Sequence, residues 1–287
     1  MSGHRDHRDL SRDAHAVTAP AIPPAIAAIP SADASPVDAA QGGPPPGTAF
    51  SPQEREAVYR AIRERRDMRH FAGGQVAPEV LARLLQAAHL GPSVGFMQPW
   101  RFIRVADPAL RERLHACVEA ERRCTAEALG ERGGEFLRLK VEGLRDAAEC
   151  IAVALADGRE AHVFGRRTLP QMDLASVACA IENLWLAARA EGLGMGWVSM
   201  FDPVAVGDLL GLPPGAEAVA LLSIGPVHGF YEEPMLQRER WARRAPLEAV
   251  VFDNAWGQPA PWLGGALPEP PLGAAGPNPG ANGEADR

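Results

Sequence analysis

Tyrosine and cysteine are scarce in this chain, with two and four in 287 residues, and aromatic residues make up only 6%. Cys117, Cys124, Cys150 and Cys179 form no C-x-x-C pair and have no His at zinc-ligand spacing, so no metal site is expected. Cys150 and Cys179 lie in apolar stretches and are expected to be small buried core residues in a reducing cytoplasm. A run of about 18 uninterrupted apolar residues is also missing, which excludes a transmembrane helix. The first twenty residues open on alternating His, Arg and Asp, where a secretory signal would put a basic tip and an apolar run. Basic blocks are missing too: 29 Lys and Arg are scattered among 36 Asp and Glu, for a net charge of -7. Nucleic-acid affinity rests on clustered cations that neutralise phosphates, so a nucleic-acid partner is not expected.

What the chain does have is glycine and proline, 29 and 27 residues, placed unevenly. Residues 1–48 and 258–287 hold 15 of the prolines but only Trp262 of the 17 aromatics. Both ends read as disordered: an Ala/Pro-rich N-terminal extension at 1–48 and a Gly/Pro-rich tail at 258–287. Residues 49–257 are then a single body of ordinary domain size.

That body opens on a helix signal, with Ser51 as N-cap, Pro52 in the first turn and Glu54 completing a capping box. The pattern predicts helices to about Arg66 and from Pro78 to Gly91, a strand at 101–106, and a broken helical region from 108 to 148. It then predicts a strand at 150–156, a helix at 173–191 apolar on most faces, a strand at 197–200, a short helix at 204–210 and a last strand at 219–224. Without regular β-α-β alternation, the class is α+β, a mixed central sheet surrounded by helices.

Three segments stand out chemically. Arg65-Arg66-Asp67-Met68-Arg69 puts three guanidiniums at a helix C-terminus, where the dipole favours cations, yet includes a carboxylate that the dipole disfavours. Such a cluster either caps the helix or grips a phosphate or polar ring edge. Gly91 to Trp100 is an irregular loop, either a packed turn or a platform beside a planar ligand, with Ser93 and Gln98 as its polar contacts. Gly192, Gly194 and Gly196 follow a helix and precede a strand, the reverse of a dinucleotide fingerprint, so a Rossmann reading is rejected. They read instead as backbone passing close to a ligand ring, with Ser199 at the strand end.

Together with Pro170-Gln171-Met172-Asp173 and the stretch from Asn183 to Ser199, these segments make the chain, from about Ser51 to Gly257, resemble the nitroreductase-fold flavoproteins. Most of those relatives have Ser where this chain has Asp67. Asp67 with Gly-Phe-Met-Gln-Pro-Trp is similar to the branch that fragments reduced FMN with O2 to 5,6-dimethylbenzimidazole, the lower ligand of cobalamin. The resemblance implies a homodimer with flavin clefts at the subunit interface, with FMN consumed as substrate after a separate flavin reductase has reduced it.

By the same resemblance Arg65, Arg66, Asp67, Met68 and Arg69 hold the FMN phosphate, ribityl chain and pyrimidine edge. Ser93 touches the flavin, and Leu139 and Gln171 line the cleft. Asp67 and Ser199 are the implied catalytic pair: the carboxylate takes a proton from the ribityl carbon attached to the ring, and the hydroxyl assists at the ring. The arginines are expected to keep Asp67 ionised. Relatives commonly place a phosphate-binding Arg directly after the residue matching Trp241, where this chain has Ala242, so Arg243 or Arg244 is expected to serve instead. The alternative is an NAD(P)H-dependent nitroreductase or dehalogenase-like flavoprotein.

Overall fold

The computed structural model describes residues 48–263. The expected disorder of residues 1–47 and 264–287 lies outside the described residues. At the C-terminal side the packed chain runs past the expected boundary at 257: Ala260 and Leu263 are buried, and Trp262 Nε1 donates to Asp253 Oδ1 at 2.9 Å.

The elements run in the order α1 (Pro52–Glu64), α2 (Pro78–His89), β1 (Trp100–Arg104), α3 (Pro108–Ala128), α4 (Gly133–Phe136), β2 (Glu149–Leu155), α5 (Met172–Ala190), β3 (Gly194–Val198), α6 (Pro203–Leu210), β4 (Glu217–Gly225) and α7 (Met235–Arg238). The Ser51–Glu54 capping box forms as expected, Ser51 N–H donating to Glu54 Oε2 at 2.9 Å and Glu54 N–H to Ser51 Oγ at 3.3 Å. Among the described residues, no helix is long and apolar enough to cross a membrane.

The strands form one sheet in the order β1-β2-β4-β3. Every strand pair in it is antiparallel, so the expected mixed sheet is corrected; the one parallel pairing described is an isolated bridge, Asp67 to Met195. Both faces are covered. Leu84 of α2 and Ile181 and Leu184 of α5 pack on Ile151, Val153 and Leu222, while Leu114 and Val118 of α3 and Val206 of α6 pack on Cys150, Ala152 and Leu221. Two covered faces explain why β2 reads as an unbroken apolar run. In β4 the pairing steps from Val153–Ala220 to Ala154–Ala218, leaving Val219 as an extra residue. That bulge turns Ala218 and Ala220 to opposite layers although they are two apart in sequence.

Other expectations shift for local reasons. Helix α3 ends at Ala128, and residues 137–148 contain no helix. Gly130 takes a left-handed φ of 56°, and Gly133 turns so tightly that a Cβ would overlap the Ala126 carbonyl. Cys150 is buried, its thiol pushed up to about 11 by burial, but Cys179 is exposed. It lies on the outer side of α5, whose buried residues, from Asp173 to Ala188, form one face rather than the whole circumference.

Candidate active site

Strand β3 is an edge of the sheet, and the Asp67–Arg69 segment lies against it. Met68 N–H donates to Met195 O at 2.9 Å, and Asp67 pairs with Met195. This approach needs bare backbone. A Cβ at Gly194 would overlap a Val227 methyl and crowd Met68, and one at Gly196 would overlap the Met68 carbonyl oxygen. These two glycines therefore sit inside the strand, not ahead of it as expected, and make room for the chain's own Met68. Met68 is 1% exposed, and its side chain packs with Phe71 and Ala147.

The segment aims Asp67 along the end of β3. Its Oδ1 accepts the Trp197 N–H at 3.1 Å, and its Oδ2 accepts from Arg69 Nη2, which also donates to Trp197 O at 2.9 Å. The Asp67 side chain remains 43% exposed, yet protein crowds it closely. Burial pushes its carboxyl above the usual range, and Arg69, the Trp197 amide and Arg65 offset this only in part. The arginines pull toward the ionised form expected of Asp67, and burial opposes them more strongly. Ser199 follows Val198, the last residue of β3, and is exposed with no hydrogen bond among the described residues.

The arginines form a crowded cationic corner. Arg65 pairs with Glu182 at 3.3 Å and lies over the Trp185 ring at 4.5 Å. Arg66 donates to the carbonyls of Arg63, Arg65 and Glu232, and its pKa is lowered by burial and then by Arg65, Arg244 and Arg189. Arg69 is 8% exposed. Arg66 Nε, Arg69 Nη1 and Arg189 Nε are all buried without an acceptor among the described residues. Buried guanidinium donors left open, with like charges around them, suit an anionic ligand offering several acceptor oxygens.

The remaining expected residues fall around this corner to differing degrees. Of Arg243 and Arg244, it is Arg244 whose charge weighs on Arg66. Ser93 closes its own loop: its Oγ accepts Gln98 N–H and its carbonyl accepts Phe96 N–H, both at 3.1 Å. The loop is closed by its own hydrogen bonds and is strained, with Phe96 at φ 56° and Gln98 at φ 52°. Leu139 is buried with Phe136 in a cluster that Met200 and Trp241 join, next to Ser199 in the chain. Gln171 is exposed at the N-terminus of α5. A polar cavity of about 490 Å³ opens along α3 between Glu112, His115, Glu119, Arg123 and Arg145, and none of these site residues lines it.

Three contributors were missed from sequence. Arg189 closes α5, binding Glu64 and lying 4.1 Å over Phe230. Trp185 supports Arg65, donates Nε1–H to Arg66 O at 3.2 Å and meets Trp197 at 6.3 Å. Tyr231 accepts the Arg69 N–H. For Arg189 and Trp185 the sequence signal was an Arg and a Trp on a largely apolar helix.

A partly buried carboxylate gripped by a guanidinium stands beside buried arginine donors on this α+β frame, an arrangement suited to an anionic ligand. The nitroreductase family model matches residues 62–226, and the chain belongs to that family. A 5,6-dimethylbenzimidazole synthase of Rhodospirillum rubrum is 42% identical over 209 residues, 71% of this chain and 98% of that protein. Another, of Rhodobacter capsulatus, is 40% identical over 201 residues, 69% of this chain and 97% of that one. In fold, the chain matches the crystal structure of oxidized iodotyrosine deiodinase bound to FMN and 3-iodo-L-tyrosine, with a TM-score of 0.55 at 22% identity, covering 69% of this chain and 100% of that one.

Proposed function

We propose that this protein fragments reduced FMN with oxygen to 5,6-dimethylbenzimidazole, the lower ligand of cobalamin. The observation that carries this reading is the 42% identity extending over 98% of a synthase of that compound. When bound, reduced FMN supplies the electrons for oxygen and the carbon of the product. The open donors on Arg66, Arg69 and Arg189 fit its phosphate and pyrimidine edge. Arg65, held flat by Trp185 and Glu182, and Arg244 complete the phosphate corner.

Asp67 is the base, taking the proton from the ribityl carbon attached to the ring. Two of its lone-pair sites are engaged by Trp197 and Arg69, which fixes its direction and leaves others free for that proton. A carboxyl raised by burial is a stronger base once ionised. Ser199, unengaged by the protein, donates to or accepts from the ring. Ser93, Leu139 and Gln171 lie along the cleft in this reading, and a separate reductase delivers the reduced flavin.

The working form is a homodimer with the clefts at its interface. Helix α1 has no buried residue although Val58, Tyr59 and Ile62 lie on it, and Phe96 and Phe164 are each 83% exposed. Light scattering on the eluting protein should give twice the chain mass.

The test is aerobic incubation with FMN, NADH and a separate flavin reductase, followed by mass spectrometry for 5,6-dimethylbenzimidazole. Absence of product with FMN demonstrably bound sinks the proposal, and steady NAD(P)H oxidation by the protein alone marks an ordinary nitroreductase instead. Since 71% of this chain accounts for nearly all of the synthase, the two ends take no part in the reaction in this reading. A chain of residues 49–263 should form product at the full-length rate; a severalfold loss would give the ends a role.

A further inference from the structure

Asp67 is oriented by the Trp197 amide and by Arg69, and Arg69 is itself held from behind. Its main-chain N–H donates to Tyr231 Oη at 3.2 Å, and the same oxygen lies 2.6 Å from His70 Nδ1. A phenol oxygen that accepts from Arg69 has its own proton left to give, and His70 Nδ1 is the acceptor in reach. That balance assigns His70 as neutral, protonated on Nε2. The Tyr231 ring is fixed independently of its hydroxyl: it packs beside Met68 and Phe71, Arg238 lies over it at 5.0 Å, and the His70 ring meets it nearly edge-on.

We propose that Tyr231 is a positioning residue for Asp67: its hydroxyl, oriented by His70, pins the Arg69 backbone and so keeps the Arg69 guanidinium on the carboxylate. This rests on the reading of Asp67 as the base. The charges acting on Asp67 are Arg69 and Arg65; those acting on His70 are Lys140, Arg238 and Asp146. Burial, Lys140 and Arg238 lower the His70 pKa against the opposing pull of Asp146, which keeps the ring a neutral acceptor at neutral pH. Without the Tyr231 hydroxyl, the Arg69 N–H has no acceptor, the guanidinium drifts, and burial acts on Asp67 with less opposition.

Tyr231→Phe keeps the ring and removes only the oxygen. In the FMN-free protein labelled with carbon-13 at its carboxyl groups, the Asp67 titration should move up by about half a unit or more. Conversion of reduced FMN should fall about tenfold to a hundredfold at neutral pH and partly recover as pH rises, because the acid limb moves with Asp67. His70→Ala should shift Asp67 in the same direction by less, and His70→Gln, which retains an acceptor, should restore it. An Asp67 titration unchanged in both Tyr231→Phe and His70→Ala overturns the proposal, as does a rate lowered equally at every pH. If the wild-type protein forms no product, the functional reading fails, and the titrations still decide this one.

Discussion

Asp67→Asn should bind FMN and fold normally yet lose at least about 100-fold in product formation, the usual contribution of a positioned general base. Asn keeps the shape and can still accept the Trp197 N–H, so a loss arises from the missing base and not from a broken strand contact. Stability should move the other way. An unfolded Asp titrates near about 3.9, whereas burial raises the folded carboxyl, so between the two values the folded state holds a proton the unfolded state has released. Ionising Asp67 therefore costs stability as pH rises through its folded value, and nothing below the unfolded one. Asn carries no such cost: the variant should melt at or above the wild-type temperature near neutral pH, with the gap closing toward about pH 4. Thermal melts across that range, alongside the product assay, check both halves. Normal turnover in the variant would remove Asp67 from the mechanism.

Gly196→Ala should be nearly as damaging, although a single methyl group is added. The new Cβ would overlap the Met68 carbonyl oxygen and stand 3.2 Å from Arg69 Nη1, so the Asp67–Arg69 segment must leave the edge of β3. Overpacking of this kind costs about 1–3 kcal/mol, and a displacement near 1 Å at the base costs about 100-fold in rate. Gly134→Ala is the control, since a Cβ there meets nothing within 4 Å and the residue is helical. Urea unfolding and product formation should separate the two variants clearly; a Gly196→Ala enzyme at the wild-type rate would mean that the close approach does not matter.

Local rules made much of this legible in advance. Ser51, Pro52 and Glu54 announce α1, and the apolar run of β2 announces a strand covered on both faces, because each depends on neighbours in sequence. Asp67 among arginines was visible as an oddity for the same reason: one carboxylate at the wrong end of a helix dipole. What stayed hidden is set by residues far apart in the chain. Glycine disfavours strands, so Gly194 and Gly196 read as a turn, whereas tertiary contact with Met68 makes them the only residues that fit there. The antiparallel register, the arrival of Tyr231 behind Arg69 and the dominance of burial over charge at Asp67 have no local signature. Cys179 sits in an apolar pattern, but which side of α5 meets the sheet is decided by the packing of Leu184 and Ile181.

The contact between Asp67 and the Trp197 amide joins residues 130 positions apart. Between them lie helices α2 to α5 and two of the strands, β1 and β2, so closing that loop is entropically costly until the sheet and its covering helices are in place. Assembly of the base is thereby tied to the end of folding. A nascent or partly unfolded chain presents arginines without an aligned carboxylate, and during refolding the recovery of turnover should trail the recovery of helical circular dichroism.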